Sequence, residues 1–230
     1  MDGTSAVVTG ASRGIGASVA ERFAAEGAHV TCCARSREAL TSVVDGIVDA
    51  GDAATAVRAD VRDEFDVERL MEQATKAGDG IDVVVANAAV NHGDPGESPL
   101  HEESYSRFDD TVRTNLRGVF TTVREALPHL ADDGRILVPS GAVARESTAG
   151  MGTYAVSKAG AEALVRGFAA DIDPAVGVVD PGYVATDLSG DKGRDPEDVA
   201  PMFVWAARDA DDETVDGEIL DLRAWKSATR

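Results

Sequence analysis

The 230-residue sequence predicts an α/β fold, a doubly wound parallel sheet of about seven strands with helices on both faces. Three observations lead there. Short apolar runs alternate with longer stretches of helical spacing along nearly the whole chain, the pattern of strands covered on both sides. The first such run feeds a glycine-rich turn that opens a helical stretch. Hydrophobic residues make up 43 % of the chain, enough to cover a large sheet, and no break in composition marks a linker, so residues 1–230 read as one domain.

Taken in order, the first strand is Ala6-Val7-Val8, and Val19, Phe23 and Ala24 repeat at helical spacing after the glycine turn. The second strand, His29 to Cys33, ends in the chain's two cysteines; adjacent side chains on a strand face opposite ways, so Cys32 and Cys33 read as two small hydrophobes. Thr55-Ala56-Val57 is the third strand, followed by a helix carrying Val67, Leu70, Met71 and Ala74. Ile81 to Val85, Arg135 to Val138, Val176 to Val179 and Glu218 to Leu220 complete the set. The Gly/Pro-rich stretch Asn91 to Pro99 and the acidic stretch Ser189 to Asp198 are loops within the domain.

Charge narrows the partners. Forty-one acids against 22 bases give a formal −19, which repels nucleic acid and anionic membrane alike. No run approaches the roughly 18 apolar residues of a membrane span, and Met1 to Ser5 lacks the basic start of a secretion signal. With two cysteines, the expected location is the reducing cytoplasm. An acid-rich surface with four lysines resembles that of proteins from salt-loving organisms, where salt screens the self-repulsion.

Thr9-Gly10-Ala11-Ser12-Arg13-Gly14-Ile15-Gly16 follows the first strand directly. Glycines 10, 14 and 16 allow a tight turn and close approach to a pyrophosphate, with Ser12 and Ile15 between them and the positive end of a helix behind. This is the dinucleotide turn of a Rossmann fold. The second strand then decides the cofactor. NAD is met by an acid there, but this strand ends Cys33-Ala34-Arg35, with no acid before Glu38. Arg35, helped by Arg13, suits a 2′-phosphate, so NADP(H) is favoured over NAD(H).

Tyr154 and Lys158 lie four apart in a helical stretch reaching about Asp171, so both look into one cleft. A nearby ammonium favours phenolate, and a phenol tuned in this way can protonate a carbonyl oxygen or deprotonate an alcohol. The four histidines, 29, 92, 101 and 129, show no ligand spacing, and no metal is expected.

On these residues the chain resembles the short-chain dehydrogenase/reductase family, and its 3-oxoacyl reductases in particular, from the glycine loop to beyond residue 220. Further matches are Asp60-Val61 after the third strand, Ala86-Asn87-Ala88-Ala89 after the fourth, Thr114-Asn115-Leu116 in the central helix, and Pro181 to Thr186 after the sixth. The resemblance implies that Tyr154 is the acid/base, that Lys158 holds the nicotinamide ribose and lowers the tyrosine's pKa, and that Asn115 anchors a water in a proton relay. It implies adenine contacts from Asp60 and Val61, and ribose contacts from Asn87 and Ala88. Pro181, Gly182 and Val184 would cover the nicotinamide, with Thr186 on its carboxamide. Ser140 would hydrogen-bond the substrate oxygen, although the family's serine falls at the position of Gly141. Ala89 in place of the usual glycine and Asp180 before Pro181 are further departures.

The expected activity is hydride transfer between NADP(H) and a small ketone, secondary alcohol or 3-oxoacyl thioester. The alternative is a dinucleotide-binding sensor or subunit without turnover, which needs only the glycine loop. Ala155, Ala159 and Ala163 recur along one side of the tyrosine helix, and the family habit of pairing there implies a homodimer or homotetramer.

Overall fold

A computed structural model describes residues 1–230. Seven strands form one wholly parallel sheet: β1 (Ser5–Thr9), β2 (His29–Ala34), β3 (Ala54–Arg58), β4 (Ile81–Val85), β5 (Leu130–Pro139), β6 (Val176–Asp180) and β7 (Ile219–Asp221), in the order β3-β2-β1-β4-β5-β6-β7. Two apolar layers sandwich it. Phe23 of α1 (Gly14–Ala25), Leu40 and Ile47 of α2 (Arg37–Asp49), and Met202 and Phe203 of α7 (Pro196–Val204) fill one face. Val67 and Leu70 of α3 (Glu64–Ala74), Val123 of α5 (Gly118–Ala126), and Ala161 and Val165 of α6 (Gly152–Asp171) fill the other. Cys32 belongs to the first layer and Cys33 to the second, as alternation along a strand requires. Burial pushes both thiols up to about 12, so they pack as hydrophobes.

Helix α4 (Tyr105–Val112) runs through a π-helical turn, Arg113–Arg117, into α5, and Asn115 sits in that turn. Short helices α8 (Asp212–Val215) and α9 (Leu222–Ala228) flank β7. Some helix starts follow capping chemistry. The Asp63 carboxylate accepts the N–H groups of Phe65 and Asp66 at α3, and Ser104 accepts that of Arg107 at α4. Helix α1, like α2, α6 and α7, has no such cap. Its first turn follows Arg13, which makes no side-chain cap, so the opening N–H groups remain available to a ligand.

Strand order reverses between β1 and β4, and the crevice at the C-terminal ends of those strands is where open α/β sheets bind ligands. No helix is long and apolar enough to cross a membrane.

Candidate active site

The glycine loop is stitched to the sheet before any ligand arrives. Ala11 donates its N–H to the Cys33 carbonyl at 3.0 Å. Asn87, just past β4, donates from Nδ2 to the carbonyls of Thr9 (2.9 Å) and Gly10 (3.3 Å), and Thr9 Oγ1 accepts the Ala88 N–H at 3.0 Å. A Cβ at Gly16 would fall 2.4 Å from Asn87 Nδ2, and one at Gly10 2.8 Å from the Ala88 Cα, so these positions must stay bare. Asn87 therefore acts through its side chain on the loop.

One cleft brings together Gly10, Ser12, Arg13, Gly14, Ile15, Gly16 and Asn87 from this end with Ser140, Tyr154, Lys158, Pro181, Gly182, Val184 and Thr186 from the other. Thr186 lies over the loop, its Cγ2 3.3 Å from where a Cβ on Gly14 would stand. Its hydroxyl pairs with that of Ser189 at 2.7 Å. The turn before it is set by Asp180, whose carboxylate accepts the Gly182 N–H at 3.0 Å while Gly182 adopts φ +70°.

Five expected residues lie outside the cleft lining: Ala88, whose N–H is taken by Thr9, and Arg35, Asp60, Val61 and Asn115. Arg35 is exposed at the end of β2 and enters no ion pair, although its charge reaches Asp60 at the end of β3. The Asp60 carboxylate is taken by Arg62 through Nε at 3.0 Å and Nη2 at 2.7 Å, and these bonds hold it below the usual carboxylate range against the opposing effect of burial. Arg62 continues to Asp110, which also meets His92 at 2.8 Å. Val61 turns its side chain into the core, 2.7 Å from where Gly118 would carry a Cβ, leaving its main chain for any ligand. Asn115, fully buried, donates from Nδ2 to the Val90 carbonyl (2.8 Å) and to Ser157 Oγ (3.0 Å), and accepts the Val90 N–H at 2.7 Å. It clamps the loop after β4 to α6.

Tyr154 and Lys158 both face the cleft from α6, with Nζ 5.7 Å from the phenol ring centroid. Lys158 is 8 % exposed and donates to the Pro139 carbonyl at 2.9 Å. Burial pulls its pKa down to about 8, only partly opposed by the nearby Glu162. Burial likewise pushes Tyr154 up to about 12, with Tyr183 adding to the rise. Within the chain alone the shift is upward, with loss of water around a phenolate as its main cause.

Ser140 Oγ lies 2.7 Å from Glu162 Oε1, and Arg145 Nη1 reaches the same oxygen at 2.8 Å while its Nη2 pairs with Asp180. Sequence reasoning missed Glu162 and Arg145. The signal was present, since Glu162 stands one helical turn after Lys158 on an inward face, where a carboxylate needs a partner.

The model of the short chain dehydrogenase family matches residues 4–197. The versicolorin reductase of Emericella nidulans is 38 % identical over 195 residues, covering 82 % of this chain and 72 % of that protein. A 3-oxoacyl-[acyl-carrier-protein] reductase of Staphylococcus aureus is 32 % identical over 191 residues, covering 80 % and 76 %. Among solved structures, a short chain dehydrogenase from Burkholderia cenocepacia in complex with NADP superposes with a TM-score of 0.86 at 30 % identity, over 97 % of each chain.

Proposed function

Because the chain belongs to the short-chain dehydrogenase/reductase family, we propose that it is an NADP(H)-dependent carbonyl reductase or secondary-alcohol dehydrogenase with Tyr154 as its acid/base. The coarser class, an oxidoreductase acting on CH–OH and C=O groups, comes with the family. The observation that carries the finer reading is one cleft holding the uncapped glycine loop at one end and the Tyr154–Lys158 pair at the other.

The residues fit a nicotinamide dinucleotide. Glycines 10, 14 and 16 leave main chain bare, and the first-turn N–H groups of α1 have no side-chain acceptor. Arg35, exposed and unpaired, and Arg13, on the same cleft, would take a 2′-phosphate. The solved relative with NADP agrees with that choice. Main chain at Val61 and Ala88 and the carboxylate of Asp60 would border the adenosine half, and Pro181, Gly182, Val184 and Thr186 the nicotinamide. Such a cofactor supplies or accepts the hydride when bound. Tyr154, protonated at neutral pH, gives its proton to the carbonyl oxygen during reduction and recovers it from water through a relay. Lys158 orients the ribose. Both donor bonds of Asn115 are already made, so it offers a relay water acceptor atoms alone.

The substrate is a small ketone, its alcohol, or a 3-oxoacyl thioester. The copies pair through α6 and the helix that includes the π-turn and α5, where Leu116, Phe120, Leu164 and Phe168 line an apolar groove. The test is loss of absorbance of NADPH against a panel of ketones and 3-oxoacyl thioesters. Tyr154→Phe is expected to lower kcat at least a hundredfold with Tm unchanged, whereas activity surviving that change refutes the mechanism.

A further inference from the structure

A hydroxyl carries one hydrogen, so the direction of the Ser140 O–H decides what it can offer a substrate. Its neighbour at 2.7 Å is the carboxylate of Glu162, an acceptor only, so the serine donates to it. Glu162 is 3 % exposed, and its one other partner is Arg145. Turning the hydrogen into the cleft would leave a buried carboxylate with a single donor, and charge-assisted bonds of this kind are the stronger sort. Arg145 is shared with Asp180, which accepts the Gly182 N–H. The chain from Ser140 to Gly182 thus joins the end of β5, helix α6 and the turn after β6. The next residue, Gly141, lines the same cleft, and a Cβ built there meets nothing within 4 Å.

We infer that Ser140 is a positioning residue, held by Glu162 and Arg145, that gives no hydrogen bond to the substrate oxygen, and that Gly141 marks the open wall position where such a donor can be installed. The inference rests on the reading of Tyr154 as the acid. A donor aimed at the developing oxyanion contributes roughly a hundred- to a thousandfold to kcat. Ser140 lacks that role, and its removal loosens a network.

The test uses the full chain with NADPH and a cyclic ketone, with kcat, KM and Tm read for Ser140→Ala, Glu162→Gln, the double variant and Gly141→Ser. Ser140→Ala and Glu162→Gln are each expected to lower kcat less than about fivefold, and the double variant no further, because both cut the same link. Gly141→Ser is expected to raise kcat about tenfold with little change in KM. A hundredfold fall in kcat for Ser140→Ala at unchanged Tm overturns the inference, as does a Gly141→Ser protein that folds and gains nothing. A wild type that oxidises no NADPH with any ketone refutes the functional reading instead. The carbonyl stretching frequency of a bound ketone then still decides, since it reports donors on the oxygen without turnover. Ser140→Ala leaving it in place supports the inference, and a clear rise overturns it.

Discussion

Replacing Lys158 by methionine should make the protein more stable at neutral pH. Lys158 is 8 % exposed, and its burial lowers the pKa from 10.5 to about 8. At about 1.4 kcal/mol per pH unit, holding that ammonium charged inside the fold costs ~3 kcal/mol. The sign follows from proton counts. Between pH 8 and 10.5 the unfolded chain keeps a proton that the folded chain has shed, so stability rises with pH through that window. The cost is felt in full below pH 8. Methionine removes the charge, keeps the length, and forfeits the bond from Nζ to the Pro139 carbonyl, which is worth about 1 kcal/mol. Lys158→Met should therefore gain about 2 kcal/mol at pH 7 and lose that advantage near pH 10. Tyr154, pushed up to about 12, affects stability only above pH 10, outside the comparison. Urea unfolding of both proteins at fixed salt from pH 7 to 10 reads the difference. A variant less stable at pH 7, or a gap that does not change with pH, would show that burial of the ammonium is not the controlling cost.

Arg35→Ala should raise the KM for NADPH about tenfold and leave that for NADH within twofold, since one charge-assisted phosphate contact is lost and no ion pair within the chain is broken. Equal effects on both cofactors would remove Arg35 from the 2′-phosphate site. The formal −19 predicts that Tm rises by about 10 °C between 0.1 and 2 M KCl, as screening relieves repulsion between surface acids. Calorimetry showing full stability in low salt would argue against a salt-adapted surface.

Most of the sheet was legible because a strand buried on both faces has to be a nearly continuous apolar run, and Val83 to Val85 or Val176 to Val179 admit little else. The clear miss is the start of β5. The strand read from the sequence begins at Arg135, yet Leu130 already pairs with Ile81, and the ladder resumes only at Arg135 opposite Val83. A register jump of that kind depends on the partner strand and leaves no local trace. The π-helical turn at Asn115 is hidden for a similar reason: one extra residue in a helix does not alter a short apolar pattern. At the site, the glycine loop and the Tyr154–Lys158 spacing were readable because each is local. The direction of the Ser140 hydrogen, the capture of Asp60 by Arg62 and the reach of Arg145 were not, because each joins residues from different elements or turns on a rotamer.

Those non-local contacts explain why the cleft is ready in the absence of ligand. Several groups on the cleft are fixed by a residue from another element: the glycine loop by Asn87, the loop after β4 by Asn115, Lys158 by the Pro139 carbonyl, and the wall at Ser140 by Glu162. Preorganisation of this kind removes ordering cost from the binding step. Arg13 and Arg35 are the exceptions. Arg35 is exposed with no partner, and Arg13 pairs only with Asp187 at 2.9 Å, with both side chains about 70 % exposed. An exposed pair of this sort contributes little, so a phosphate dianion can displace Asp187 and order both arginines. The fixed contacts thus cluster around Lys158 and the glycine loop, and the freedom that remains lies at the arginines proposed to meet the 2′-phosphate.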